Sequence, residues 1–240
     1  MGGRSSGARC RVRLLDLFSN AGGAGSGYAR AGFQVTGVDI ERQPHYPFAF
    51  VQADAMTYPL GGFDAIHASP PCQAYSVTKH THDKQHPDLL GPTRNRLLLS
   101  GVPWIIENVV GAPMRDPLML CGTMFDLTAV DDDGTTLFLR RHRLFESSEL
   151  LFPPGPCRCS EFRARGWRVG GVYGGGSSDR AHAQFVRRGG YTPRGHVRRA
   201  LMGMDWTTQD ELSQAIPPVY TEWLGTQLMR AATMRMDRAA

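Results

Sequence analysis

Val12-Arg13-Leu14-Leu15-Asp16-Leu17-Phe18-Ser19-Asn20-Ala21-Gly22-Gly23-Ala24-Gly25-Ser26-Gly27 is an apolar run that breaks into a glycine-rich turn. The run reads as a strand, and the glycines after it let backbone approach a ligand closely. Tyr28 to Ala31 continues as a short helix that Gly32 stops. Three more apolar runs follow, Val35 to Val38, Phe48 to Ala53 and Phe63 to Ala68. They end at Asp39, at Asp54 and at a proline-cysteine corner. Arg94 to Ser100 reads as the tail of a helix, and Trp104-Ile105-Ile106 as a buried strand that ends at Glu107-Asn108. Strands alternating with helices predict an α/β fold with a mostly parallel sheet flanked by helices. Asp39, Asp54, Cys72 and Glu107 all fall at a strand's carboxyl end, where open sheets of this kind bind ligands.

The chain has 240 residues, 41% of them hydrophobic, enough for one sizeable core. No apolar run reaches the length of a membrane span, and Met1 to Arg9 lacks the apolar stretch of a signal peptide. A cytoplasmic protein with no membrane partner is expected. Five scattered cysteines, an odd count, make reduced thiols the default. The net charge is +5, and 25 of the 27 cations are arginine. That balance suits a polyanionic partner, since arginine forks phosphates and guanine edges, although a GC-rich coding genome would produce the same bias. From Ser147 to Arg199 the chain turns rich in Gly, Pro and Arg, which reads as an irregular, partly β insertion with a solvated basic face. Pro217 to Met229 reads as a helix with Val219, Trp223, Leu224 and Leu228 on one side.

In Ser69-Pro70-Pro71-Cys72-Gln73-Ala74-Tyr75-Ser76 two prolines lock the approach to one cysteine, so Cys72 sits on a rigid corner. A thiol held there is either a nucleophile or a buried small hydrophobe. The glycine spacing after Phe18 is not the dinucleotide pattern, and an acid inside the first strand, Asp16, suits a cationic ligand. S-adenosylmethionine, with its sulfonium and amino groups, fits. Asp39 would take the ribose and Asp54 the adenine amino group, with Phe18 and Ile40 as apolar walls; Asp16 and Asp54 could equally cap helices or turns. His80, His82 and His86 lack a cysteine or acid at ligand spacing, and Cys157-Arg158-Cys159 is tighter than the usual zinc spacing. Both read as solvated loops, and no metal is expected.

These residues together resemble the cytosine-5 DNA methyltransferases over nearly the whole chain. Asp16-Leu17-Phe18-Ser19 with its glycines is similar to the family's cofactor loop, Pro71-Cys72-Gln73 to its nucleophile motif and Glu107-Asn108-Val109 to its Glu-Asn-Val motif. Arg141-His142-Arg143 is similar to its Gln-x-Arg-x-Arg motif, with Leu139 in place of the glutamine. Ala200-Leu201-Met202-Gly203 to Ala215-Ile216-Pro217-Pro218 resembles its last two motifs, with Ser213-Gln214 where the family has Gly-Asn. The resemblance implies a Rossmann-like methyltransferase core over 1–146 and 193–240 and a small target-recognition region over 147–192. It implies a monomer that binds S-adenosylmethionine, flips a cytosine out of double-stranded DNA and methylates carbon 5 through a Cys72 adduct, as in the protection of DNA against restriction.

By the same resemblance Cys72, Glu107, Arg141 and Arg143 are catalytic: Glu107 meets the ring nitrogen, Arg143 the cytosine carbonyl, and Arg141 a phosphate or the active-site loop. Asn108 orients the Cys72 loop. Asp16, Phe18, Ser19, Asn20, Gly22, Gly23, Asp39, Ile40, Asp54, Pro70 and Gln214 bind the cofactor. Gln73, Ser76, Lys79, Lys84, Arg163, Arg165 and Arg168 meet DNA. The short recognition region implies a short target site or loose specificity. An RNA acceptor, a carboxylated donor or a catalytically silent DNA-binding homologue are the alternatives.

Overall fold

The first apolar run forms strand β1 (Arg13–Leu17). It pairs in parallel with β2 (Gln34–Asp39) on one side and with β4 (Ala65–Ala68) on the other. The computed structural model describes residues 11–73, 75, 87–173 and 190–239. Within them, β3 (Ala49–Gln52) extends the sheet beyond β2, and β5 (Trp104–Val109) extends it beyond β4, both in parallel. Strand β9 (Arg143–Ser147) runs antiparallel to β5, and β6 (Leu118–Leu120) closes the far edge against β9. The order is β3-β2-β1-β4-β5-β9-β6, the mostly parallel sheet that the sequence predicts. The chain steps outward from β1 through β2 and β3, then returns to the other side of β1 at β4. Such a reversal splays the connections apart and leaves a crevice at the strands' carboxyl ends.

Alternation along the central strands decides what each face buries. Leu14, Ala65 and Ile105 face a cluster completed by Tyr28 of helix α1 (Gly23–Arg30) and by Tyr220, Leu224 and Leu228 of helix α6 (Pro218–Ala239). Leu15, Leu17, Ile66, Ala68 and Ile106 face the opposite way, onto Leu90 and Leu97 of helix α2 (Leu90–Ser100). The same alternation puts Asp16, His67 and Glu107 on the α1 face, all of them buried. None of the helices in the described residues is long and apolar enough to cross a membrane.

The last helix runs to Ala239, ten residues past the expected Met229, and two other boundaries differ from the sequence expectation for physical reasons. Helix α1 begins at Gly23, inside the glycine run, rather than at Tyr28. The glycines serve close packing: a Cβ on Gly27 would collide with the Pro218 carbonyl oxygen and the Thr221 hydroxyl at the start of α6. Strand β5 continues to Val109, so Glu107 and Asn108 are strand residues, paired with β9.

A second, four-stranded sheet packs beside the first, in the order β11-β10-β8-β7. Its strands are β7 (Thr128–Val130), β8 (Thr136–Phe138), β10 (Arg168–Gly170) and β11 (Gly190–Tyr191). Two of them lie ahead of residue 147, where the sequence reading starts the recognition region. The stretch read as irregular also holds helix α3 (Cys159–Ala164). Leu137, Leu139 and Val172 share an apolar cluster with Val197 and Leu201 of helix α4 (Gly195–Met202) and Leu212 of helix α5 (Gln209–Gln214). Leu139, which stands where the resembled motif has glutamine, is therefore a core residue.

The α1–α6 contact yields a stability prediction. Gly27→Ala should destabilise by about 1–3 kcal/mol, because the added methyl overpacks a backbone contact. At about 2–4 °C per kcal/mol for a chain of this size, thermal melting will read it. Gly61→Ala, with nothing within 4 Å of the added carbon, should melt within about 1 °C of wild type.

Candidate active site

A cavity of about 610 Å³ lies at the carboxyl ends of the central strands. Asp16, Phe18, Ser19, Asn20, Gly23 and Ala24 line it from β1 and the start of α1, and Asp39, Ile40, Glu41 and Gln43 from the end of β2. Ser69 to Gln73 enter from the end of β4, Glu107 and Val109 from β5, and Arg143 from β9. Ser213, Gln214, Ala215 and Ile216 close it from the α5–α6 connection. Residues separated by up to 200 positions thus meet in one volume.

One part of the cavity is built around acids and an apolar wall. Asp16 is fully buried, and its Oδ2 accepts from the Tyr46 hydroxyl at 3.0 Å. Its Oδ1 is buried with no hydrogen-bond partner. Burial pushes this carboxyl up to about 8, against the smaller opposing effect of the Tyr46 hydrogen bond. Asp39 accepts from the Asn20 amide (2.9 Å) through Oδ2 and from the Glu41 amide (3.0 Å) through Oδ1, which braces the turn after β1 against the end of β2. Phe18 (φ 56°) and Asn20 (φ 43°) take left-handed conformations in that turn, strain that the surrounding backbone bonds must hold. Ile40 is 67% exposed although apolar, a flat wall open to a ligand.

The other part carries the nucleophile candidate. Asn108 is fully buried; its Nδ2 donates to the Pro70 carbonyl at 3.1 Å and its Oδ1 accepts from the Val109 amide at 2.9 Å. That pair of bonds ties the proline-cysteine corner to β5. Cys72 is partly buried, and burial together with the nearby Glu107 charge raises its thiol, while Arg143 and Arg141 pull it down. Glu107 is raised by burial and lowered by Arg143, Arg141 and a Ser69 hydrogen bond. Arg143 Nε lies 2.9 Å from Glu107 Oε1, yet that oxygen receives no aligned hydrogen bond. The contact is a charge pair that leaves Glu107 able to hold a proton or donate one. Behind it, His67 is buried and held down to about 3 by desolvation. Neutral, it links the Tyr28 hydroxyl (3.0 Å to Nδ1) to the Ser69 hydroxyl (2.8 Å from Nε2).

The remaining predicted site residues are placed as follows. Gly22 does not line the cavity; it is the left-handed residue that caps the start of α1, φ 82°. Asp54 stands outside the cavity, its Oδ1 accepting from the Met56 amide at 2.8 Å in the turn after β3. Arg141 is buried and does not line the cavity; its guanidinium donates to the carbonyls of Ser213 (2.6 Å) and Val172 (3.5 Å). It therefore braces the second sheet and the residue before Gln214. Arg163 is exposed on α3, and Arg168 is exposed on β10. Arg165 pairs with Glu161 at 2.5 Å and lies over the Phe162 and Trp167 rings. Ser76, Lys79 and Lys84, like His80, His82 and His86, lie outside the described residues.

Tyr46, Glu41 and Gln43 escaped the sequence reading. They sit in the Pro-rich connection between β2 and β3, and no periodicity or motif marks them. Ser69 and Ile216 were within quoted motifs but carried no obvious chemistry.

Neither a family model nor a curated protein sequence matches the chain. Solved structures do. The Schizosaccharomyces pombe Dnmt2 methyltransferase superposes with a TM-score of 0.54 at 14% identity, over 92% of this chain and 99% of that one. An E. coli prophage-encoded protein described as a DNA modification methyltransferase gives 0.52 at 14% identity over the same shares. A Spodoptera frugiperda DNMT2 gives 0.50 at 12% identity, again over 92% and 99%. The chain has the Rossmann-like fold of the methyltransferases.

The buried carboxyl at the heart of the cavity generates a pH prediction. Asp16 is raised above its unfolded value, so its neutral form favours folding at low pH, and that advantage is lost as pH rises from about 4 through about 8. Asp16→Asn removes the titration. Its melting temperature should gain on wild type steadily between pH 5 and pH 8.5, by about 2–4 °C per kcal/mol of carboxylate desolvation. A difference between the two proteins that stays constant with pH would contradict this.

Proposed function

We propose that this chain is a DNA cytosine-5 methyltransferase that takes its methyl group from S-adenosylmethionine and works through a covalent adduct on Cys72. The observation that carries the reading is the sharing of one cavity by Cys72, Glu107 and Arg143 with Asp16, Phe18, Asp39 and Ile40. The motif order along the chain supports it.

The residues present fit the donor. The partnerless Oδ1 of Asp16 is the acceptor that an ammonium group requires, and a bound cation would draw that carboxyl into its charged form. Asp39 keeps lone pairs for ribose hydroxyls beyond its two backbone bonds, and Ile40 with Phe18 offers apolar surface to a purine. S-adenosylmethionine, when bound, supplies an electrophilic methyl on a sulfonium.

The acceptor chemistry follows from the other part of the cavity. Carbon 5 of cytosine becomes nucleophilic only when carbon 6 carries an added nucleophile. Cys72 gives its thiol proton to solvent, and its sulfur bonds carbon 6. The displaced ring electrons reach nitrogen 3, which takes the proton of Glu107. Burial raises the affinity of Glu107 for a proton, which favours the protonated carboxyl that this step uses. Carbon 5 then takes the methyl group, and the donor's sulfur keeps the bonding electrons as a neutral thioether. Loss of the carbon 5 proton to a base expels the Cys72 thiolate, and nitrogen 3 returns its proton to Glu107. Arg143, charge-paired with Glu107, is available to the ring carbonyl. A resting thiol held up by burial reacts little with solvent and is activated only when the base and Glu107 complete the site. A base within a duplex cannot reach this volume, so the target is flipped out, at a cost of a few kcal/mol in unstacking. Arg163 and Arg168, exposed on the second sheet's side, serve phosphates in this reading, and Arg165 presents a stacked guanidinium.

Duplex DNA bearing 5-fluorocytosine should trap the wild-type chain as a covalent, denaturation-resistant complex in the presence of S-adenosylmethionine. Cys72→Ser should form none, and Glu107→Gln should slow trapping by about 10²-fold or more. Asp16→Ala should weaken binding of the donor by about 10–100-fold, read by calorimetry. Nucleoside mass spectrometry of treated DNA and RNA tests the product: 5-methylcytosine in DNA is expected, and a heavier group or a product confined to RNA would overturn the assignment.

A further inference from the structure

Four metal-ligating side chains that no part of the mechanism uses converge beside the active site. Cys121 follows β6 and starts a 3-10 turn over Gly122–Phe125. His142 stands between Arg141 and Arg143 at the start of β9. Cys157 and Cys159 come from the segment that enters α3. Their three sulfurs and the imidazole nitrogen all lie within 4.8 Å of one another. The Cys121 and Cys159 sulfurs are 3.4 Å apart, and His142 Nε2 lies 3.5 Å from Cys157 Sγ and 3.7 Å from Cys159 Sγ.

These separations are those of ligands around one small ion. A tetrahedral zinc centre with bonds of about 2.3 Å to sulfur and about 2.0 Å to nitrogen has ligand–ligand edges of about 3.5–3.8 Å. A disulfide needs sulfurs about 2.05 Å apart, so the Cys121–Cys159 pair is not one. Three thiols and an imidazole form a soft donor set that prefers zinc to magnesium or calcium. The surroundings suit the thiolates that a metal would require. Thr123 Oγ1 accepts from the Arg158 amide at 3.0 Å and keeps its own proton for a sulfur, with Cys121 Sγ at 3.3 Å and Cys157 Sγ at 3.7 Å. Arg158 is held close by, its Nε donating to the Thr123 carbonyl at 3.2 Å and its guanidinium paired with Asp126.

We propose that Cys121, His142, Cys157 and Cys159 bind one structural zinc ion that clamps the start of α3 to the edge of the main sheet. Four protein ligands close the coordination shell and leave no position for substrate, so the ion has no catalytic part. Its effect on the active site runs through His142, whose carbonyl accepts from Arg143 Nη1 at 2.9 Å. Fixing that residue fixes the backbone from which Arg141 and Arg143 depart. The expectation of no metal rested on the incomplete set of His80, His82 and His86 and, for these cysteines, on the one-residue gap in Cys157-Arg158-Cys159. The gap does not matter here, because the other two ligands arrive from elsewhere in the fold. This proposal does not depend on the reaction assigned above.

The test is elemental analysis of the full-length chain, expressed with zinc in the medium and purified without a polyhistidine tag. One zinc per chain should survive dialysis. A mercurial that caps thiols should release it stoichiometrically, and removal should lower the melting temperature by about 4 °C or more, restored by added zinc. Cobalt(II) in its place should show thiolate-to-metal charge transfer. Cys72→Ser should keep the full metal content, and the Cys157→Ser, Cys159→Ser double variant should lose it. Wild-type protein holding less than a tenth of an equivalent of zinc would overturn the proposal. So would a Cys121–Cys159 disulfide found by mass spectrometry of the unreduced chain.

Discussion

Strand β5 is hydrogen-bonded in parallel to β4 and antiparallel to β9, and this two-sided pairing holds the site together. The parallel side carries the chain from Ala68 into the Pro70–Cys72 corner next to Asn108. The antiparallel side sets Val109 opposite Arg143 and Glu107 opposite Phe145. Because side chains alternate, Glu107 and Arg143 emerge on one face and Asn108 on the other. One strand thus presents the acid and its guanidinium to the cavity while bracing the Pro70–Cys72 loop from behind. Strand β9 is anchored in turn by a buried bidentate pair, Arg94 of α2 to Glu146, at 2.5 Å and 2.8 Å. Removing one partner of such a pair would cost several kcal/mol, since it leaves an uncompensated buried charge. A helix on one face therefore sets the position of a strand whose first residue serves the cavity.

The cavity concentrates groups that water would normally keep charged. Asp16 and Glu107 are both pushed towards their neutral forms by burial, His67 is neutral for the same reason, and the Cys72 thiol is raised. Burial thus sets the protonation of the whole cavity, since each of these groups is held in the form that carries no charge. The strained turn at Phe18 and Asn20 belongs to the same pattern. It is held by the Asn20 amide on Asp39 and by the Trp206 indole on the Ala21 carbonyl at 2.9 Å.

The second sheet is more than a surface insertion. Arg141 reaches from the main sheet to carbonyls at Val172 and Ser213, and Tyr220 of α6 donates to the Arg141 carbonyl at 2.7 Å. These bonds couple the small unit, the α5–α6 connection and the cavity wall at Gln214. Arg141 shapes the site without entering it, a positioning role that its place beside Arg143 in the chain conceals.

Local chemistry made the fold readable from the sequence alone. Short apolar runs followed by Asp39, Asp54, Cys72 and Glu107 pointed to a parallel sheet with polar groups at its carboxyl edge, although Asp54 stands outside the cavity, and prolines around Cys72 pointed to a rigid corner. Each of those signals lies within a few residues. What lies beyond that range was decided by tertiary structure. The glycine run became the first turns of α1 because α6, some 190 residues later, packs flush against it. Tyr46 became the partner of Asp16 because the β2–β3 connection folds back over the cavity. Cys121, His142, Cys157 and Cys159 became one cluster because β6, β9 and α3 converge at one edge of the sheet, a meeting that no spacing along the chain encodes. Backbone propensity and patterning act between neighbours, whereas the proximity of distant side chains exists only once the sheet has closed its register.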